Sequence, residues 1–129
     1  MKLNPDCIRD ILLSIEEISA ANSLLTSTQL QKSRFLSHYS TEEVIYHLKQ
    51  LKFSGYIITP EKSLLDKDLF LVCDLSPIGH EFLSNIRKDT NWNKVKSICS
   101  EVGSETLTSI KTIAENVISS AIATFIGLS

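Results

Sequence analysis

Apolar residues recur at helical spacing near the start of the chain and predict a first helix. Asn4 is a favoured helix-capping residue and Pro5 suits the first helical position. Acidic side chains lie largely opposite an apolar stripe that runs to about Ala20 and comprises Ile8, Ile11, Leu12, Ile15 and Ile18. The polar segment 22–28 predicts a loop with a short strand at 24–26, and 30–39 predicts a short helix.

A capping box marks the next helix start. In Ser40-Thr41-Glu42-Glu43, the serine hydroxyl is placed to accept from the backbone N–H of Glu43, whose carboxylate reaches back. Gly55 is the predicted left-handed cap at the other end. The buried face between these ends is predicted to hold Val44, Ile45, Leu48 and Leu51.

The periodicity changes after this helix. Two β-prone runs, 56–59 and 69–75, flank the polar segment 60–68 and predict a hairpin with a long polar tip. Ser76-Pro77 then predicts another helix, which should end near Asp89.

Two further helices are predicted after that point. Asn91 is the expected cap of the first, and Gly103 separates it from a last helix of about 20 residues.

This order of elements predicts the α+β fold class, as a winged helix-turn-helix with a helical C-terminal extension. The capped helix that begins after Ser40 takes the place of the recognition helix, and the hairpin takes the place of the wing. Residues 4–89 are the predicted winged-helix domain, and 90–129 the extension, which mediates dimerisation or packs on the same domain.

Two stretches resemble motifs of winged-helix regulators. His47 to Ile57, with the sequence HLKQLKFSGYI, resembles their "HLxxLxxxGYI" segment. Leu75 to Leu83 resembles their "LTPxGxxFL" helix start.

A second resemblance is carried by five segments: Met1 to Leu12, Tyr46 to Leu48, Gly55 to Ile57, Leu75 to Leu83, and Trp92 to Lys94. With these segments, the chain as a whole resembles a family of small phage and prophage proteins known as a domain of unknown function. The resemblance implies a winged-helix fold and a phage or prophage setting, and it brings no catalytic residues.

Composition narrows the class of protein. The 129 residues are 43% hydrophobic and 22% charged, with a formal net charge of −2 and only 4 Gly and 3 Pro, which argues against disordered and collagen-like chains. Cys7, Cys73 and Cys99 are odd in number and widely spaced, and no secretory leader is recognised, so free thiols and a cytoplasmic location are expected. The uncharged stretch 117–128 is too short for a membrane span.

Duplex DNA is one candidate partner. Helical spacing places Glu42, Tyr46, Lys49, Gln50 and Phe53 on the outer face of the predicted recognition helix. The predicted groove or phosphate contacts are Tyr46, Lys49, Gln50 and Lys52, with Lys32 and Arg34 as flanking phosphate contacts. The acidic side chains at the helix start repel phosphate, although they also interact favourably with the helix dipole. The hairpin tip carries charges of both signs, which predicts a solvated wing.

Metal binding and catalysis have little support in the sequence. No two Cys or His residues stand at a metal-ligand spacing, and no nucleophile–base pair or phosphate-binding glycine loop is evident, so we expect no metal, no cofactor and no enzyme activity. We interpret Cys7 and Cys73 as small buried apolar residues, and His47 and His80 as residues on helix surfaces.

The last helix carries an apolar arc wider than packing on one domain requires. One hypothesis is a homodimer in which these helices pair through Leu107, Ile110, Ala114, Val117, Ala121 and Phe125. A second is that the helix packs on the first helix of its own domain, and a third is that its end lies on a membrane surface.

The sequence therefore predicts a non-enzymatic phage or prophage regulator that binds duplex DNA. The alternative is a winged-helix module that binds a host or phage protein instead of DNA. A continuous positive surface would favour the first, and a neutral or acidic surface with exposed aromatic residues the second.

Overall fold

A computed structural model describes residues 1–20, 24–61 and 69–127. The chain is a mixed α and β protein, as expected, and its helical residues greatly outnumber its strand residues. It divides into two compact units, 1–81 and 82–129. The sequence predicted a domain boundary after residue 89, whereas this division falls inside a helix.

Helix α1, Pro5–Ile18, begins where the capping chemistry predicts. The side-chain oxygen of Asn4 accepts from the backbone N–H of Asp6 at 3.0 Å and of Cys7 at 3.4 Å. The predicted apolar stripe is buried, apart from half-exposed Ile18. The helix start and its inward face are thus confirmed.

The predicted short helix at 30–39 is wrong in position. Helix α2 is Ser27–Gln31, because Thr26 and Gln29 form a reciprocal capping box that starts the helix earlier. Residues 32–39 form successive turns, in which Ser33, Leu36 and Tyr39 each donate a backbone N–H to the carbonyl three residues before. The strand predicted just before this segment is present as β1, Leu25–Thr26.

Helix α3, Thr41–Phe53, has the two ends that the sequence predicts. Ser40 and Glu43 exchange backbone-to-side-chain hydrogen bonds of 3.1 Å at its start. At its end Gly55 adopts a φ of +81°, its N–H bonds the carbonyl of Lys52, and the N–H of Tyr56 bonds the carbonyl of Leu51. This pair of bonds is a Schellman motif, which satisfies the last carbonyls of the helix.

The predicted hairpin contains short strands, and its second half, residues 71–75, pairs with two different strands. Strand β2, Ile57–Ile58, pairs antiparallel with β4, Asp74–Leu75. Strand β3, Leu71–Val72, pairs antiparallel with β1. Most of the predicted tip, at 62–68, lies outside the described residues, including Lys62, Asp66, Lys67 and Asp68, whereas Glu61 is exposed.

Helix α4, Pro77–Ile86, starts directly against the end of α3. The hydroxyl of Ser76 accepts from the N–H of Gly79 at 3.0 Å and donates to the carbonyl of Gly55 at 2.6 Å. A Cβ atom on Gly79 would come within 2.0 Å of the carbonyl oxygen of Tyr56. Only glycine permits this close approach.

The second unit contains an antiparallel pair of helices. Helix α5 is Asp89–Val102 and α6 is Leu107–Phe125, and the two pack together across a short connection in which Gly103 has a φ of +73°. The prediction that Asn91 caps α5 is wrong, since the cap position is Lys88 and no side chain satisfies it. Trp92, Val95 and Cys99 are buried on α5, and Leu107, Ile110, Ala114 and Val117 on α6.

Candidate nucleic-acid interface

One stripe of side chains runs along the outer side of α3. Glu42, Tyr46, Lys49 and Phe53 recur at intervals of three and four residues, so they lie on one side of the helix. Glu42 is exposed, Tyr46 and Lys49 are half-buried, and the Phe53 side chain is 80% exposed. The stripe therefore offers one cation, one carboxylate and two aromatic rings to a partner.

Gln50 and Lys52 flank this stripe on opposite sides. Both are half-buried, and the Lys52 ammonium nitrogen lies 6.0 Å from the ring centroid of Phe70, which precedes β3. At this distance the cation–π attraction between Lys52 and the ring is weak.

Lys32 and Arg34 lie in the turns between α2 and α3, and both are exposed. The Arg34 guanidinium donates to the Glu17 carboxylate on α1 at 3.0 Å, and its central carbon lies 4.7 Å from the Phe35 ring centroid. Because this ion pair is on the surface, a phosphate group can compete with Glu17 for the guanidinium. Lys32 forms no ion pair with any described residue.

The two glutamates at the start of α3 have different surroundings. The carboxylate of Glu43 accepts from the N–H of Ser40, so its charge serves the helix start. The Glu42 side chain is exposed at the same end. It is therefore the group that repels phosphate from the first turn of the helix.

A buried histidine lies behind this surface, which corrects the prediction that His47 is on a helix surface. The His47 side chain is 1% exposed, and its Nε2 accepts from the backbone N–H of Asn4 at 2.8 Å. Its Nδ1 lies 2.6 Å from the carbonyl of Glu43, to which it donates. Burial lowers the pKa of His47, so both bonds are made by the neutral ring. His80 is exposed, as predicted.

A second polar contact joins α1 to the turns before α3. The Tyr39 hydroxyl donates to the Asp10 carboxylate at 2.8 Å, and the Ser14 and Ser33 hydroxyls lie 2.6 Å apart. Burial raises the pKa of Tyr39 and of Asp10, and the hydrogen bond to Tyr39 opposes the shift of Asp10. These groups have partners within the fold, which is typical of structural polar contacts rather than of a reactive site.

The cysteines form no disulfide, and Cys7 and Cys99 are buried. Cys73 is half-buried, so its predicted burial is only partial. Burial raises the pKa of the Cys7 thiol to about 12, with Glu43 and Asp10 adding to the shift. Within residues 1–20, 24–61 and 69–127, no three His, Cys, Asp or Glu side chains are grouped so that they could hold a metal ion.

The six residues predicted for a dimer contact fall into two groups. Leu107, Ile110, Ala114 and Val117 are buried within the chain. Ala121 and Phe125 are exposed, and Phe125 is 91% exposed. Of these six residues, therefore, the two in the last turns of α6 present apolar side chains to another molecule. No helix in the described part of the chain is both long and apolar enough to span a membrane.

Comparison with known proteins places the chain in a family. Residues 2–105 match the sequence profile of the family described as "Hypothetical protein (DUF2513)". A protein of Haemophilus influenzae with the name "Uncharacterized protein" is 36% identical over 124 residues, which cover 95% of this chain and 100% of the relative. No solved structure matches. The chain belongs to the DUF2513 family.

Proposed function

We propose that the first unit is a winged helix-turn-helix that binds duplex DNA, with α3 as its recognition helix. The observation that supports this most is the strand pairing. Strand β3 pairs with β1, which lies between α1 and α2 in the chain. Strand β4 pairs with β2, which directly follows α3. A winged helix joins its three helices and its wing in this order. The proposal rests on this topology. In it, the outer side of α3 faces the major groove of DNA.

Within this proposal, Tyr46, Lys49, Gln50 and Lys52 contact the DNA groove or its phosphates. Lys32 and Arg34 add flanking phosphate contacts. To make its contact, Arg34 leaves the Glu17 carboxylate and binds a phosphate instead. The unit works as a non-enzymatic regulator, since its buried polar side chains serve the fold. Affinity should be modest because few cations face the DNA, and it should fall as salt rises because these cations contact phosphate.

The test is binding of the purified chain to mixed genomic duplex fragments, titrated from about 50 to 200 mM salt. Lys49→Glu reverses the one charge at the centre of the α3 stripe. Lys111→Glu is the matched control, because it makes the same charge change in the second unit.

We expect binding that weakens steeply with salt, with a salt slope smaller by about one in Lys49→Glu and unchanged in Lys111→Glu. Absence of binding at the lowest salt would overturn the DNA proposal. Equal losses in both variants would point to non-specific attraction by the whole chain.

A second candidate function is a protein-interaction module, and the exposure of Phe53 favours it. An aromatic ring that is 80% exposed on the same stripe as Glu42 resembles the centre of a protein interface more than a phosphate-binding surface. The partner would be a host or phage protein. A photo-crosslinking phenylalanine analogue at position 53 distinguishes the two, because crosslinks to DNA support the first function and crosslinks to one protein support the second.

We also propose a phage or prophage setting, which rests on the resemblance stated for the sequence. It predicts that genes for related chains lie among phage genes, and a survey of gene neighbourhoods tests it.

A homodimer through the end of α6 completes the proposal. Ile122 and Ile126 are more than half exposed, and Ile118 is half-buried one turn before them. No charged residue occurs from Asn116 to Gly127, and pairing with a second copy would cover this strip. Sedimentation of the wild-type chain and of Ile122→Ser checks it, with a concentration-independent monomer mass as the contradicting result.

A further inference from the structure

A groove runs along the second unit between the beginning of α5 and the end of α6. Its volume is about 620 Å³, within the range of small-molecule sites. Its lining comprises Lys88, Thr90, Asn91, Lys94 and Ile98 from the α5 side, and Ile113, Asn116, Val117, Ser120, Ala121, Thr124 and Phe125 from α6.

The groove combines an apolar path with polar edges. Ile113, Val117 and Ala121 follow one another at intervals of four residues along α6, and Ile98 faces them from α5. Hydroxyl and amide side chains of both helices lie beside this path. An apolar surface with a few polar groups around it is typical of sites for organic molecules.

The charge of the groove has one sign. Among the described residues that line it, the charged ones are Lys88 and Lys94, and neither forms an ion pair with any residue in the described part of the chain. Both belong to the cap and first turns of α5, whose cap has no side-chain hydrogen bond. The positive end of the helix dipole therefore adds to the two ammonium groups. Asp89 is in the same turn but does not line the groove.

We propose that this groove binds a small organic anion with an apolar body. The apolar body lies along Ile113, Val117 and Ala121, and the acid group meets Lys88 and Lys94 at the end formed by the start of α5. The proposal does not depend on DNA binding, because its residues are all in the second unit.

Charge complementarity favours this occupant over a second copy of the chain. The exposed end of α6, residues 116–127, contains no carboxylate. A second α6 laid in the groove would leave the two lysines without an opposite charge, whereas a carboxylate on a small molecule pairs with them. Ile122 and Ile126, proposed for the dimer, do not line the groove, whereas Val117, Ala121 and Phe125 of the sequence-predicted dimer contact do.

The test is calorimetric titration of the full chain with three probes of equal chain length: decanoate, decan-1-ol and decylammonium. We expect decanoate to bind at one site. The affinity of the alcohol should be lower by about tenfold or more, and decylammonium should not bind. The variant Lys88→Glu/Lys94→Glu should lose about tenfold or more in affinity for decanoate. The control Lys111→Glu, on α6 but outside the groove, should bind as the wild type does.

A second variant locates the ligand. Ser120 is exposed and lines the groove, so Ser120→Trp fills the space without disturbing buried residues. It should block decanoate binding while the melting curve of the chain stays the same. Equal affinity for acid and alcohol, unchanged binding by either groove variant, or a dimer that decanoate dissociates would each overturn the proposal.

Discussion

The backbone N–H of Asn4 donates to Nε2 of His47 at 2.8 Å, across 43 residues of sequence. Asn4 caps α1, and the same ring donates through Nδ1 to the carbonyl of Glu43 on α3. One buried imidazole thus fixes the start of α1 against α3. The helix that carries the proposed DNA contacts is positioned by a side chain on its inner side.

Replacing His47 should destabilise the fold. His47→Ala leaves the N–H of Asn4 without its acceptor and opens a cavity, which together cost about 2–4 kcal/mol in the free energy of unfolding. Urea denaturation measures it. His80→Ala is the matched control on an exposed site and should stay within about 0.5 kcal/mol of the wild type. Similar losses in the two variants would show that the His47 bonds are unimportant.

The same ring predicts how stability depends on pH. Because burial lowers the pKa of His47 in the folded chain, the unfolded chain takes up a proton at higher pH than the folded chain does. The stabilisation is complete above the unfolded value of 6.5 and is lost as the pH falls from there towards the lowered pKa.

We therefore expect the urea midpoint to fall between about pH 7.5 and about pH 5.5 in the wild type. His47→Gln should flatten this dependence, and His80→Gln should retain it. An equally steep fall in His47→Gln would assign the dependence to another group.

Gly79→Ala should destabilise the fold, although replacing glycine by alanine in a helix usually stabilises it. In most helix interiors this change stabilises by about 0.5–1 kcal/mol, because glycine loses more entropy on folding. Here the new Cβ would meet the Tyr56 carbonyl oxygen at 2.0 Å, so we expect a loss of about 1–3 kcal/mol and a lower Tm. Ser84→Ala, at an exposed position of the same helix, is the control. A rise in Tm for Gly79→Ala would show that α4 does not approach this carbonyl.

The three thiols should differ in reactivity. Cys7 is buried with its pKa raised to about 12, and burial also raises the pKa of Cys99, so little thiolate forms at neutral pH. Cys73 is half-buried, and alkylation followed by mass spectrometry should label it first in the native chain. All three should react at similar rates in denaturant. Labelling of Cys7 as fast as Cys73 in the native chain would contradict the packing of α1.

Helix ends with local chemistry could be predicted from the sequence. The Asn4 cap, the Ser40–Glu43 box and the left-handed Gly55 each act within a few residues, so their patterns determine the structure directly. The box at Thr26 and Gln29 is equally local. Its signature lies in a polar stretch that otherwise indicates a loop, and the helix was therefore predicted too late in the chain.

Features that depend on distant partners could not be predicted. His47 stands three residues after Val44 and four before Leu51, so periodicity places it on the buried face of α3, and only its polarity suggested a surface position. Its hydrogen bond with Asn4, 43 residues away, has no local signal. The division of the run 71–75 between two partner strands likewise depends on pairing across the fold. The groove of the second unit arises only when α5 and α6 pack, so no short motif marks Lys88 or Lys94.

The pairing of β1 has a consequence for synthesis on the ribosome. Ser27, just after β1, exchanges hydrogen bonds with Phe70, just before β3, and these residues are 43 positions apart. Translation is vectorial, so the backbone groups of β1 bond to water until the run 71–75 has been synthesised and can pair with them. The residues of α1 to α3 precede the run 71–75, so all three helices are synthesised before this strand pairing can form.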